Sequence, residues 1–206
     1  MSTNPTDIIS ITQQTRRNRI AIGMLVTLAT TLLTIMIILL VESDKISGIK
    51  TTEEGLKIVW CIENIPVYLD EDSASDEDEL QDIIDIYQPY TPVLIYMGTV
   101  PVGTRLPYSI QIHQSLVPSY GGDDWGAEET MWDPITGCIY RSDIFTYPDT
   151  TGFDRYMILC HEFGHAISLE HSNDPWSPMY SPPGGMTCTL DKKAKNALSN
   201  VYLEQQ

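Results

Sequence analysis

The hydrophobic residues of this chain follow two different patterns. Residues 20–41 form a run of 22 residues without a charged side chain, which is long enough to cross a bilayer as a helix. From residue 57 onwards, apolar residues instead alternate with polar ones or recur at helical spacing, as they do in folded domains. The two patterns predict a membrane-spanning segment followed by one folded domain.

The periodic part of the chain predicts strands and helices in an α+β order. Alternation predicts a strand at 57–69, and apolar residues at helical spacing predict a helix at 76–87. The other predicted elements are strands at 93–100, 108–117, 126–132 and 137–146, a helix at about 152–167, and a last helix at about 189–203. This order predicts a sheet with helices packed on one side.

The charges that flank the apolar run predict its orientation. A cluster of three arginines at 16–19 precedes the run, and Glu42 and Asp44 follow it. The positive-inside rule therefore places the N-terminus in the cytoplasm and the domain outside. The alternative is a signal peptide cleaved after Ser43, although the apolar core of such a peptide is normally about 7–15 residues long.

One face of the predicted spanning helix carries small and hydroxyl side chains, namely Gly23, Thr27, Thr30, Thr31 and Thr34. Such a stripe can mark weak self-association of transmembrane helices. The alternative is that threonines are simply tolerated at these positions.

Acidic residues outnumber basic ones in the exterior part. Residues 44–206 contain 26 acidic and 9 basic side chains, a net charge of −17, which disfavours nucleic-acid binding. Asp123 and Asp124 follow two glycines and could contribute to a calcium site, but a polar turn is the simpler interpretation and nothing else supports calcium. His113 lies in an apolar alternation and is expected to be a strand residue, not a ligand.

The exterior part also contains four cysteines, at Cys61, Cys138, Cys160 and Cys188. An even number in an exported domain predicts two disulfides, and three pairings are open. A link between Cys160 and Cys188 would tie the helix at 152–167 to the segment that follows it.

Three of the four histidines lie within residues 161–171. His161 and His165 belong to an H-E-x-x-H motif, which places them one turn apart on the same face of a helix. His171 would lie roughly 15 Å from His161 along a straight helix. All three side chains can reach one metal ion only if the helix ends soon after His165 and the chain bends back.

Three imidazoles leave the fourth position of a tetrahedral zinc ion for water, whose pKa the metal lowers to roughly 7. Glu162 is the carboxylate placed to accept a proton from that water. One alternative is that the motif arose by chance on an amphipathic helix. Another is a glutamate as third ligand some twenty residues on, but no glutamate lies between Glu170 and Glu204.

The histidine motif resembles that of the metzincin metalloproteases, and the residues after it resemble the matrixin (matrix metalloprotease) type. In this chain, His171 is followed by a short loop and by Met179-Tyr180-Ser181-Pro182, similar to the methionine turn of the family. The resemblance implies that Met179 forms an apolar floor under the metal. Ser168 stands where the family pattern has glycine, and a positive φ there would cost serine on the order of 1 kcal/mol.

The resemblance also implies a fold and a function. The fold is α+β, a metzincin-like twisted mixed sheet of about five strands with a zinc helix and a C-terminal helix, preceded by one transmembrane helix. The expected parts are a cytoplasmic tail at 1–15, a transmembrane signal anchor at 16–43, a stem at 44–56 and a metzincin-like catalytic domain at 57–206.

The function implied is that of a membrane-anchored zinc endopeptidase whose exterior domain cleaves peptide bonds in protein substrates. An edge strand at 127–132 is expected to line the cleft. An inactive binding ectodomain is one alternative, although it would not need Glu162. A secreted protease released after Ser43 is the other.

Overall fold

The structure is a computed structural model and describes residues 27–34, 48–114, 126–146, 153–180 and 187–203. The chain divides into two units, Met1–Lys45 and Ile46–Gln206. The second unit contains the predicted catalytic domain and part of the predicted stem, and the fold is described for this unit.

In the first unit the described residues, 27–34, are helical. The hydroxyls of Thr30 and Thr31 donate to the carbonyl of Thr27, and that of Thr34 donates to the carbonyl of Thr30, each at 2.9 Å. Most of the predicted span at 20–41 lies outside the described residues. Within the described ranges, the structure contains no helix with the length and apolar character needed to span a bilayer.

A mixed sheet of six strands forms the centre of the second unit. The strands are β1 (Val59–Trp60), β2 (Asn64–Asp70), β3 (Val93–Val100), β4 (Ser109–Gln114), β5 (Gly126–Trp132) and β6 (Cys138–Thr146). β3, β2, β4 and β6 lie side by side in that order and run parallel. β5 pairs with β6 in the antiparallel direction, and β1 adds in parallel to the start of β6. Among the described residues β5 pairs with β6 alone, so β5 is an edge of the sheet.

The strand predicted at 57–69 is wrong in its continuity. β1 ends at Trp60 and β2 begins at Asn64. Between these two residues the chain changes its partner strands. β1 pairs with β6, whereas β2 pairs with β3 and β4. Alternation of apolar residues does not indicate which strands pair, so the pattern at 57–69 could not predict this break.

Three α-helices belong to the described part of this unit: α1 (Glu77–Tyr87), α2 (Phe153–Ala166) and α3 (Lys192–Tyr202), with short 3₁₀ turns at Glu71–Asp76 and Gln88–Tyr90. α3 begins later than predicted because Asp191 is its N-cap. The Asp191 side chain accepts a hydrogen bond from the Ala194 N–H at 2.8 Å. Such a cap sets where the helix begins, and helical periodicity alone does not locate it.

The core holds α2 against the sheet. Ile110, Ile112 and Ile144 from β4 and β6 are fully buried and cluster with Leu159 and Phe163 from α2. Because α2 carries the H-E-x-x-H motif, burial of this apolar side of the helix orients the motif with respect to β5 and β6.

Two disulfides add covalent links to this packing. Cys61 pairs with Cys138 at the start of β6, and Cys160 of α2 pairs with Cys188. Of the three pairings left open by the sequence, the structure contains the one in which α2 is tied to the segment before α3.

Candidate metal centre

α2 and the turn that follows it bring three histidines together. His161 and His165 lie on one face of α2, and His171 lies beyond its C-terminus. One ring nitrogen from each of the three lies within 4.8 Å of the others. The Nε2 atoms of His161 and His165 are 3.2 Å apart.

This spacing fits one zinc ion. Zinc–nitrogen bonds of about 2.0–2.1 Å in a tetrahedral site place neighbouring ligand nitrogens roughly 3.3 Å apart. The 3.2 Å between His161 and His165 matches that separation. The chemistry also fits, because three imidazoles are a ligand set that zinc uses in catalytic sites.

Backbone carbonyls orient two of the three rings. Nδ1 of His161 donates to the carbonyl of Pro178, and Nδ1 of His165 donates to the carbonyl of Leu169, each at 2.7 Å. With the proton on Nδ1, the lone pair on Nε2 is the free ligand. Outer-shell hydrogen bonds of this kind fix the tautomer and the direction of a metal-binding imidazole.

Burial keeps the metal-free imidazoles neutral. Desolvation lowers the pKa of His161 to about 4 and that of His165 to about 2. Desolvation also lowers the pKa of the more exposed His171, and the ammonium group of Lys50 contributes in the same direction for all three. Metal binding requires neutral imidazole, so no proton has to be displaced from these side chains near neutral pH.

Ser168 forms the bend between His165 and His171. Its φ is +85°, a left-handed conformation that costs a serine on the order of 1 kcal/mol relative to glycine. The Ser168 hydroxyl lies 3.2 Å from the hydroxyl of Tyr202, which donates to the carbonyl of Ile167 at 3.2 Å. The last turn of α3 therefore supports the bend through hydrogen bonds that offset this cost.

Met179 packs directly beneath α2. Its side chain is buried, and its backbone N–H donates to the Ser177 hydroxyl at 3.2 Å. A Cβ added at Gly164 would lie 2.2 Å from the Met179 sulfur. The glycine inside the H-E-x-x-H motif therefore leaves the space that the methionine occupies. Pro178, whose carbonyl accepts from His161, immediately precedes Met179.

Replacing Gly164 by alanine is expected to destabilise the fold by about 1–3 kcal/mol, the usual range for overpacking a filled core. The added methyl group would push Met179 away from α2 and disturb the Pro178 carbonyl. Urea unfolding of the two proteins measures the effect. Gly48→Ala is the matched control, because a Cβ there meets no atom within 4 Å. Equal losses for the two variants would contradict the packing described here.

Glu162 lies beside the first residue of the edge strand. Its side chain is mostly buried, and a Cβ added at Gly126 of β5 would lie 3.2 Å from the Glu162 Cγ. Glu162 follows His161 on α2, about 100° further round the helix. The structure thus places the Glu162 side chain against the start of β5, on the same helix as His161 and His165.

The sequence did not predict the ion pair that lies near the histidines. The Lys50 ammonium forms an ion pair with a carboxylate oxygen of Glu128 in β5 at 2.7 Å, and both side chains are largely shielded from solvent. The other Glu128 oxygen accepts a hydrogen bond from the Ser142 hydroxyl at 2.7 Å. Lys50 and Glu128 are far apart in sequence, and no spacing rule links them.

The fourth histidine lies apart from the cluster, in β4, where it was expected as a strand residue. His113 Nδ1 is 2.8 Å from a carboxylate oxygen of Asp70, and its Nε2 is 3.1 Å from one of Asp143. Arg141 also pairs with Asp143, at 2.9 Å. The sequence did not predict this buried network. The aspartates at 123–124, considered for calcium, lie outside the described residues.

Known proteins and one family model resemble this chain. The matrixin family model matches residues 68–203, more than half of the chain. Matrix metalloproteinase-27 of Tupaia belangeri is 26% identical over 121 residues, which cover 55% of this chain and 23% of that protein. Matrix metalloproteinase-25 of Mus musculus is 35% identical over 78 residues, covering 34% of this chain and 13% of that protein. Human matrix metalloproteinase-27 is 33% identical over 63 residues, which cover 31% of this chain and 10% of that protein. The chain thus spans less than a quarter of the length of these relatives.

Proposed function

Because this chain belongs to the matrixin family, we propose that it is a zinc-dependent endopeptidase that hydrolyses peptide bonds within protein substrates. The observation that carries the proposal is the convergence of three imidazole nitrogens within 4.8 Å of one another. Glu162 lies next to this cluster in the chain and beside the edge strand in space.

Each residue of the centre has a distinct role in this proposal. His161, His165 and His171 hold the ion, which when bound supplies a Lewis acid that acidifies water and polarises the scissile carbonyl. Glu162 accepts a proton from the attacking water and passes it to the departing amine. Met179 supports the helix from below through its packing against Gly164.

The edge strand β5 gives the substrate a place to bind. An extended peptide that pairs with β5 would add one strand to the sheet through main-chain hydrogen bonds. Gly126 brings the start of β5 close to Glu162, so a peptide on this edge would pass the candidate base. Main-chain hydrogen bonds do not depend on the substrate's side chains, which are selected only by pockets of the enzyme. We therefore expect broad sequence specificity.

The test of the proposal is cleavage of a peptide library by the purified chain, with the products mapped by mass spectrometry. An endopeptidase yields fragments cut at internal bonds, and cleavage stops when the metal is chelated. Removal of terminal residues alone would contradict the proposed activity, as would cleavage that chelators leave unchanged.

Peptides with lysine or arginine around the scissile bond are expected to be cleaved several-fold faster than matched peptides with glutamate or aspartate. The exterior part carries a net charge of −17, which raises the association rate of basic substrates. The rate ratio should shrink as salt screens the field. Initial rates at low and high ionic strength measure the effect, with neutral-flanked peptides as the control. Equal rates at low salt would show that the field does not guide substrate choice.

We further propose that residues 20–41 anchor the protein in a membrane as a single-pass helix, with the N-terminus cytoplasmic and the catalytic domain outside. The uncharged run and the arginines at 16–19 support this arrangement.

In sealed cells or vesicles, external protease is expected to digest the domain after Val41 and to spare a tag at the N-terminus. A detergent-treated sample is the control, because both ends become accessible there. The reverse protection pattern would contradict the orientation. A mature chain that begins at Asp44 would instead favour the secreted form.

A further inference from the structure

The stem is paired with the turn that leads to the third histidine. Residues 48–50 lie antiparallel to residues 168–170, around a bridge between Ile49 and Leu169. Two backbone hydrogen bonds flank the bridge, from Lys50 N–H to the Ser168 carbonyl at 2.7 Å and from Glu170 N–H to the Gly48 carbonyl at 2.9 Å. The two segments are distant in sequence, so the bridge joins the stem to this turn across the fold.

Leu169 is held from both sides by this arrangement. In an extended segment, the N–H and C=O groups of successive residues point to opposite sides. Because the Ser168 carbonyl and the Glu170 N–H bond to the stem, the N–H and C=O of Leu169 point the other way, towards α2. The Leu169 N–H donates to the Gly164 carbonyl at 2.9 Å, and its carbonyl accepts from His165 Nδ1 at 2.7 Å. The stem therefore fixes the carbonyl that orients His165.

The stem is itself fastened at two further points. The Ile58 N–H donates to the Lys50 carbonyl at 2.8 Å, and Thr51 bridges to Lys57, so the stem folds back along the start of the domain. The Lys50 side chain reaches Glu128 of β5. Lys50 thus connects the turn before His171 with the edge strand β5.

We propose that residues 48–50 are a structural part of the metal centre, with Lys50 as a positioning residue. Their pairing with 168–170 holds the Leu169 carbonyl against His165 and sets the path of the chain into His171. This inference rests on the proposed zinc site. It implies that a cut after Lys50 weakens metal binding, whereas a cut after Ser43 leaves the pairing intact.

Three substitutions in the full-length chain separate the contributions. Lys50→Pro removes both the N–H that binds Ser168 and the ion pair with Glu128. Lys50→Met removes the ion pair alone. Thr52→Pro is the matched control, because it places a proline in the same stem but removes only bonds to Leu56, one from the Thr52 N–H to the Leu56 carbonyl and one from the Leu56 N–H to the Thr52 hydroxyl.

Zinc affinity is measured by competition with a chelator, and the ligand geometry by the visible spectrum of the cobalt(II)-loaded protein. Loss of an outer-shell partner typically lowers metal affinity about 10–100-fold. We expect Lys50→Pro to lose affinity in that range and to change the cobalt spectrum, Lys50→Met to lose less, and Thr52→Pro to match the unmodified chain. Lys50→Pro with the affinity and spectrum of Thr52→Pro would overturn the inference.

A measurement on the unmodified chain gives the same answer even if Lys50→Pro does not fold. Coupling is reciprocal, so if stem pairing favours metal binding, metal binding must favour stem pairing by the same factor. Hydrogen exchange at the Lys50 and Glu170 amides should therefore slow about tenfold or more on zinc loading, and slow less at Thr52. Equal changes at the three amides would overturn the inference.

A chain that binds no zinc through its histidines would refute the proposed function as well, whereas zinc binding without this coupling would refute the inference alone.

Discussion

Glu162→Ala is expected to lower the rate of peptide hydrolysis by several orders of magnitude while the protein stays folded and keeps its zinc. General acid–base catalysis by one side chain contributes about 10²–10⁴-fold in rate, and no second carboxylate is proposed for this role. The substituted side chain is not one of the three nitrogen ligands, so the metal should remain bound. Rates of cleavage and zinc content are measured on the same preparation.

Glu71→Ala is the matched control, because Glu71 is an exposed glutamate in the 3₁₀ turn after β2. This control should cleave at the rate of the unmodified chain. Equal rates for Glu162→Ala and the unmodified chain would contradict the assignment of the base. Loss of zinc together with activity in Glu162→Ala would show instead that the carboxylate supports the metal site.

His171→Ala is expected to weaken zinc binding by more than the roughly 10–100-fold that loss of an outer-shell partner costs. His171 provides one of three nitrogens, and its removal leaves two ligands on α2 that cannot close the site. Chelator competition gives the dissociation constant.

The control for this variant is His113→Gln, which removes the histidine that pairs with Asp70 and Asp143. Its folded fraction should still bind one zinc per chain, although the variant should be less stable. Unchanged zinc affinity in His171→Ala would refute the three-histidine centre.

Much of this centre could be predicted from local sequence because the physics that forms it is local. The i to i+4 spacing of His161 and His165 acts within one helical turn. The need for a bend before His171 follows from the rise of a helix, and the structure places that bend at Ser168 with a φ of +85°. The strands and helices could be predicted for the same reason, since the period of apolar residues depends on which side chains of one segment face the core.

What could not be predicted depends on contacts between distant segments. The alternation at 57–69 did not indicate the break after Trp60, because the break reflects a change of partner strand. The sequence leaves the disulfide pairing open, because the contact between Cys61 and Cys138 depends on β1 lying beside the start of β6. Lys50 had no motif around it. Its place in the centre follows from the return of the chain at 168–170, more than a hundred residues later.

For two residues, Ser168 and His113, the local sequence predicts the position in the fold but not the tertiary contacts of the side chain. The family pattern identifies Ser168 as a substitution for glycine, but the hydroxyl of Tyr202 that supports it lies on the last helix. His113 was expected in a strand, but the carboxylates of Asp70 and Asp143 on two neighbouring strands are visible only in the sheet register. In each case the missing information is tertiary.

The most direct test of a zinc-dependent peptidase is metal content and peptide cleavage measured on one sample before chelation, after chelation and after zinc is returned. We predict one zinc per chain at the start, loss of cleavage together with the metal, and recovery of cleavage when one equivalent of zinc is added. Cleavage that persists in the metal-free protein, or a chain that binds zinc stoichiometrically and cleaves no peptide, would contradict the proposed function.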